Sequence, residues 1–370
     1  MQFLKVRVDD KEIETRAIFL EDPINGIVRM IDQRFLPWRL VFYDSASVEE
    51  TSYAIRNFIV RGALTIGAAA AFGAYQAVLE ASRNSTQFLS EFINRLELLK
   101  NTRPTAYNLF HALNSVCSYV SGLVEAGVPI RDVVKSAREF AINYVENEII
   151  EKNKKIGEIG EKVIENEFKV LTHCNAGALA AVDIGTATAP IYYAHRRGKK
   201  ITVYVSETRP WLQGARLTAW ELSQAGIEVY VISDNAVGYL MQTGEIDVVI
   251  VGADRICKNG DTINKIGTYK IALAAHDNGI PFYVAAPSST IDPTASSGRE
   301  VVVEERSEDE IHFVFGELEN GMLARVRITP MDVRAKNPIF DITPARLITG
   351  FITEFGIIEP DSIGAIARQS

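Results

Sequence analysis

The sequence predicts an α/β protein in which a small, mostly helical N-terminal domain with a short sheet is followed by a Rossmann-like parallel-sheet domain. Three observations carry this. From about residue 168 short apolar runs alternate with helix-length segments, the rhythm of βα units. Before that point helical periodicity dominates once a few short alternating stretches have passed. The 370 residues, at a prior of roughly 150 per domain, leave room for two hydrophobic cores.

Residues 6–8 and 13–18 alternate polar and apolar, and 26–32 is a short turn-linked run, so the chain opens with strands. Helical period sets in at residue 54 and continues through 86–100, 108–125 and 130–166, the last with Glu and Lys spread over a solvated face. The helical domain is expected over 1–150 and the parallel-sheet domain over 151–370. The runs 169–174, 201–206, 227–233, 248–254 and 281–287 are the predicted strands of that sheet. Segments 177–197, 215–225, 236–243 and 268–278 are its predicted crossover helices. Residues 300–330, acidic and then strand-like, have no assigned place.

Composition narrows the function classes. With 47% hydrophobic and 23% charged residues the chain matches globular proteins and falls outside the disordered and collagen-like classes. Its 39 Lys+Arg against 47 Asp+Glu, a net charge of −8, and the lack of a basic run argue against nucleic acid as a partner. Charges at Lys5 and Arg7 interrupt any secretory leader at the start. The apolar stretches 65–79 and 171–194 are too short, or broken by His173, Asn175 and Asp183, so no membrane partner is expected. Three widely spaced cysteines without a C-x-x-C read as reduced thiols, which points to the cytoplasm.

In an open parallel sheet, ligands bind beyond the carboxyl ends of the strands. Those ends read His173-Cys174-Asn175, Ser206-Glu207-Thr208-Arg209, Ser233-Asp234-Asn235, Asp254-Arg255 and Ser288-Ser289-Thr290. Cys174 precedes a turn expected to open a helix, whose free N–H groups would favour the thiolate and make it a candidate acid or base. His173, its strand neighbour, points to the opposite face and reads as structural. Asp254 closes a very apolar run, where desolvation raises its pKa toward that of a general acid, unless Arg255 or Lys265 neutralises it. Asn264-Lys265-Ile266-Gly267-Thr268 places an amide, a cation and backbone donors before a helix, an expected phosphate seat. Arg61 and Arg103, each before a helix, are candidates to reach the same anion. No cofactor and no metal are expected: the strand ends offer no His and carboxylate cluster at ligand spacing.

Together, several segments resemble the methylthioribose-1-phosphate isomerase family, related to the regulatory subunits of translation initiation factor 2B. They are Arg61-Gly62-Ala63, Arg103-Pro104-Thr105-Ala106, His173-Cys174-Asn175-Ala176-Gly177, Glu207-Thr208-Arg209-Pro210, Gln213-Gly214-Ala215-Arg216, Gly252-Ala253-Asp254-Arg255, Asn264-Lys265-Ile266-Gly267-Thr268, Ala286-Pro287-Ser288-Ser289-Thr290 and Asn337-Pro338-Ile339-Phe340-Asp341. They occur in the family's order over nearly the whole chain. The chain departs from the family's pattern at Leu64-Thr65, at Ser206 and in the longer 300–330 segment. The resemblance implies that Cys174 and Asp254 are the catalytic pair. It implies that Arg61, Gly62, Ala63, Arg103, Gln213, Asn264 and Lys265 bind substrate. It also implies a homodimer.

The implied reaction opens the ring of an aldose 1-phosphate to give the ketose 1-phosphate, most simply 5-methylthioribose 1-phosphate to 5-methylthioribulose 1-phosphate in methionine salvage. Asp254 would protonate the departing ring oxygen, and Cys174 would take a proton from C2 (an enediol path) or from the C2 hydroxyl (a hydride path). Trp211 and Leu212 are candidates for an apolar wall around the methylthio group. Relatives acting on ribose 1,5-bisphosphate or 5-deoxyribose 1-phosphate, and a non-catalytic regulatory subunit, are the alternatives. A dinucleotide oxidoreductase is disfavoured because Cys174-Asn175-Ala176-Gly177 lacks the G-x-G-x-x-G spacing.

Overall fold

The computed structural model describes residues 4–8, 11–84, 86–103 and 106–366. The chain opens with two small antiparallel sheets, one of β1 (Leu4–Val8) and β2 (Lys11–Thr15), the other of β3 (Ile18–Asp22), β4 (Ile27–Ile31) and β5 (Phe42–Ser45). The predicted strand over 13–18 is therefore split. At Ala17 the N–H donates to Val182 C=O and the C=O accepts from Ile31 N–H, which draws the backbone out of one sheet before it enters the next.

Helix α1 (Val48–Arg56) begins well before the predicted onset at residue 54. Its start is fixed by a reciprocal cap: the Ser47 hydroxyl accepts from Glu50 N–H at 3.2 Å, and the Glu50 carboxylate accepts from Ala46 N–H at 2.6 Å. Helix α2 (Ala63–Ala81) is apolar on every side. It is long and apolar enough by composition to cross a membrane, yet 83% of that stretch is buried in this fold. Helices α1, α3 (Phe88–Lys100), α4 (Tyr107–Glu125) and α5 (Ile130–Asn143) wrap around it, which is why its surface carries Gly and Ala. A Cβ on Gly67 would stand 3.3 Å from the Asn108 carbonyl oxygen, so α4 approaches α2 at backbone distance there. The helix predicted over 130–166 runs from α5 through a widened π turn (Tyr144–Glu151) into α6 (Lys152–Gly160) and ends in a 3-10 turn at Val163.

The predicted runs from 169 onward become parallel strands: β6 (Lys169–His173), β7 (Thr202–Ser206), β8 (Glu228–Ile232), β9 (Val248–Val251) and, after the two-residue β10 (Arg255–Ile256) and β11 (Thr262–Lys265), β12 (Phe282–Ala285). Helices α7 (Thr188–Arg196), α8 (Ala219–Gln224), α9 (Val237–Gln242) and α10 (Thr268–Asp277) intervene. The 300–330 segment forms a short helix (Asp309–His312) and the hairpin of β13 (Phe313–Glu317) and β14 (Leu323–Arg327). Two strands that sequence reasoning left out, β16 (Gly350–Thr353) and the antiparallel β17 (Gly356–Ile358), complete a sheet ordered β17-β16-β12-β9-β6-β7-β8. Before them, β15 (Phe340–Thr343) joins β10 and β11 in a small sheet of their own.

Alternate strand residues serve opposite cores. Val249 and Val251 pack toward α9 and α10, whereas Val248 and Ile250 pack with residues of α6 and α7. One expectation fails here: 177–187 is not helical, and α7 starts only at Thr188. The N-terminal half supplies the partners this stretch would otherwise find in a helix. Leu179 C=O accepts from Gln33 Nε2 and from the Thr65 hydroxyl, Ala180 C=O from Thr65 N–H, and Val182 N–H donates to the Thr65 hydroxyl.

Candidate active site

Strands β6, β7 and β8 are laid down in one direction across the sheet and β9, β12 and β16 in the other, so the order reverses between β6 and β9. That reversal leaves a crevice beyond the strand ends. Cys174 immediately follows β6 and Asp254 lies three residues past β9. The two loops sit close because Gly252 lacks a side chain; a Cβ there would be 2.6 Å from that of Ala176.

The crevice deepens into a cavity of about 350 Å³, within the range of small-ligand sites. All nine predicted site residues line it: Cys174, Asp254, Arg61, Gly62, Ala63, Arg103, Gln213, Asn264 and Lys265. Other strand-end groups turn away. Asp234 accepts the N–H groups of Thr208 and Arg209, and the Ser288 hydroxyl donates to Glu354. Arg255 lines the cavity and pairs with Asp292 at 3.3 Å. His173, expected on the opposite face, lines the cavity beside Cys174; its ring is bonded to the Ser206 hydroxyl and, at 2.9 Å, to Ile266 C=O, and burial lowers its pKa to about 4. Trp211 lines the cavity, but Leu212 does not.

Cys174 adopts φ 60°, the left-handed region, and two hydroxyls hold it there. Thr208 Oγ1 accepts from Cys174 N–H at 2.9 Å, and Thr218 Oγ1 donates to Cys174 C=O at 2.5 Å. The expected helix behind Cys174 is absent, so no dipole lowers its pKa. Burial instead raises the thiol above its ordinary value, with Arg61 and Lys265 pulling it back, and at neutral pH it keeps its proton. Burial raises the Asp254 carboxyl as well, opposed first by Lys265 and then by Arg61.

Cations surround this pair. Arg61 is 8% exposed and donates to Asn175 Oδ1 at 2.8 Å and Asn175 C=O at 3.1 Å, neutral acceptors that leave its charge for a ligand. Lys265 is equally buried, its ammonium 5.1 Å from the Phe340 ring centre, and burial lowers its pKa. Arg103, lowered to about 10 by burial, lies over Phe58 with its Nε unpartnered. Of the expected phosphate seat, Asn264 and Lys265 line the cavity, whereas at the start of α10 Asp341 already accepts from Gly267 and Tyr269 N–H, so a carboxylate occupies that helix end. The start of α2 opens on the cavity through Gly62, Ala63 and Leu64, and the start of α4 through Ala106, Tyr107 and Asn108.

Two participants escaped sequence reasoning. Arg306, from the unplaced 300–330 segment, lines the cavity 4.5 Å above Phe58 and is held by Glu304 at 3.0 Å; no spacing signal announced it. Glu221 is 1% exposed, with a pKa raised to about 8 by burial, and accepts from Asn175 Nδ2 and Leu179 N–H. A lone acid in the apolar stretch Leu217-Thr218-Ala219-Trp220-Glu221-Leu222 was its available signal.

The model of the initiation factor 2 subunit family matches residues 59–360. The chain belongs to this family. Within it, the chain is 48% identical over 355 residues to a methylthioribose-1-phosphate isomerase of Sulfurimonas denitrificans, covering 92% of this chain and 95% of the relative. It is 46% identical to the enzyme of that name from Acetivibrio thermocellus, covering 91% and 95%. Among solved structures, the 5-methylthioribose 1-phosphate isomerase of Pyrococcus horikoshii superposes with a TM-score of 0.83 at 39% identity, over 96% of both chains. A translation initiation factor eIF-2B delta subunit from A. fulgidus superposes with a TM-score of 0.80 at 38% identity, over 96% of this chain and 99% of that one. Enzymes and translation-factor subunits of the family thus share this fold.

Proposed function

We propose that this chain is an aldose–ketose isomerase that converts 5-methylthioribose 1-phosphate into 5-methylthioribulose 1-phosphate, a step of methionine salvage. One observation carries the reading: a buried thiol and a half-buried carboxyl flank the sheet's reversal point in a single cavity lined by Arg61, Arg103, Lys265 and Arg306. Such a cavity suits a phosphate dianion and gives a proton donor and acceptor to a neutral sugar. The relatives named as isomerases support the substrate.

In the proposed reaction the C1–ring oxygen bond breaks as Asp254 gives its proton to that oxygen. Cys174, as thiolate, takes the proton of the C2 hydroxyl while the C2 hydrogen passes with its electron pair to C1, leaving a C2 ketone and a C1 that still bears phosphate. This leaves Cys174 as the thiol and Asp254 as the carboxylate, and passage of one proton from the thiol to the carboxylate restores the reactive thiolate and carboxylic acid. Phe58, Ile66, Ile263 and Phe340 line the cavity and keep water from the cation-like C1, which favours this hydride path over an enediol. Trp211 offers the wall for the methylthio group. The chain is proposed to act as a homodimer in the cytoplasm.

A panel of 5-methylthioribose 1-phosphate, 5-deoxyribose 1-phosphate and ribose 1,5-bisphosphate tests the reading. The methylthio sugar is expected to give the highest kcat/KM. Preference for the bisphosphate would replace the substrate, and no turnover of any would favour the regulatory-subunit alternative. Run in deuterium oxide, the hydride path leaves C1 of the product free of solvent deuterium, whereas an enediol incorporates it.

A further inference from the structure

Asn108 belongs to the first turn of α4, on the cavity wall contributed by the N-terminal half. It is 2% exposed, and its Nδ2 has no hydrogen-bond partner. A buried amide N–H without an acceptor carries a desolvation cost that native structures avoid unless a ligand or water completes it. Packing gives Asn108 no reason to be polar. Its backbone fits against Gly67 of α2, where a Cβ would come within 3.3 Å of the Asn108 carbonyl oxygen, so the residue's place is set by main chain and not by its amide. Among the other cavity residues, Gln213 is also buried with an unpartnered Oε1, an acceptor where Asn108 is a donor. A donor and an acceptor, both neutral and both waiting, suit hydroxyl groups, whereas a phosphate dianion draws on the cations and on the start of α2.

Resting on the isomerase reading, we infer that Asn108 is a further substrate-binding residue, whose Nδ2 donates to a hydroxyl oxygen of the sugar and not to its phosphate. The test compares wild type with Asn108→Leu, which keeps the volume and removes the donor. Thermal protection is measured with 5-methylthioribose 1-phosphate and with inorganic phosphate, beside turnover. Expected are roughly tenfold weaker protection by the sugar phosphate and a matching fall in kcat/KM, unchanged protection by inorganic phosphate, and a ligand-free Tm equal to or above wild type. Unchanged sugar-phosphate affinity, or equal weakening toward inorganic phosphate, overturns the assignment. A lowered ligand-free Tm with affinity intact shows a structural residue instead. Should the leucine variant not fold, Asn108→Ala is read by the same ratios. Wild type that is protected by the sugar phosphate without turning it over defeats the isomerase reading while leaving this inference to the affinity ratio; wild type that is neither protected nor active defeats both.

Discussion

Cys174 occupies a conformation that costs a non-glycine residue about 1–2 kcal/mol, and the Thr208 and Thr218 hydroxyls hold it there. Its thiol and the Asp254 carboxyl line one cavity, and burial raises both groups, so over a broad pH range the pair holds one proton. The reactive arrangement, thiolate with carboxylic acid, is a fixed fraction of that one-proton state. A bell-shaped kcat/KM profile is therefore expected, with both limbs displaced upward from ordinary aspartate and cysteine values. An acid limb at an ordinary carboxylate pKa would remove Asp254 from the pair. Glu221 makes a separate prediction. Its folded pKa of about 8 lies above the ordinary 4.5, so the folded state binds more protons than the unfolded state between those values, and stability falls as pH rises through that window by a few kcal/mol. Glu221→Gln removes this titration. The stability advantage of wild type over the variant, followed by urea melts at pH 6 and pH 9, is expected to shrink with rising pH; a constant difference would show that Glu221 is not protonated in the fold. The sequence revealed Cys174 and Asp254 because each follows an apolar run. It hid Glu221, whose burial depends on Asn175 and Leu179, far away in the chain.

At the scale of elements, the parallel strands were legible because fully buried strands read as apolar runs, and the ones missed are short or join the sheet from the far end of the chain. The loop over 177–187 was not legible. Its composition suits a helix, and tertiary partners, among them Ala17, Gln33, Thr65 and Glu221, take its backbone groups elsewhere. The 300–330 segment was opaque for a related reason: its hairpin pairs with itself, while its preceding residues carry Arg306 into the cavity. Glu304 lies between Arg306 and Arg103, holding both against Phe58. Removing the charge in Arg306→Ala is expected to raise KM for the sugar phosphate about tenfold or more, with a smaller change in kcat, since a hydrogen bond to a charged group contributes about 1.5–3 kcal/mol. Steady-state kinetics checks this, and an unchanged KM would place Arg306 outside the binding field.

Across the whole molecule, the site exists only where the two halves of the chain meet. Arg61 and Arg103 come from the helical stretch before residue 150, and Cys174, Gln213, Asp254, Asn264 and Lys265 from the βα stretch after it. Gly62 is a point of close approach between them: its φ is 90°, and a Cβ would fall 2.4 Å from the Ala180 Cα. Gly62→Ala is expected to cost about 2–5 kcal/mol from the left-handed backbone and the collision together, with loss of activity, as measured by urea unfolding and turnover. A stable, active variant would show that the halves can separate without harm. The proposed reaction rests on acid–base work by the pair that lines the cavity. Turnover of 5-methylthioribose 1-phosphate by Cys174→Ser and by Asp254→Asn, each shown to melt within a few degrees of wild type, measures it directly. Losses of about a hundredfold to ten-thousandfold in kcat are predicted for each, and near-wild-type turnover by either folded variant would contradict the mechanism.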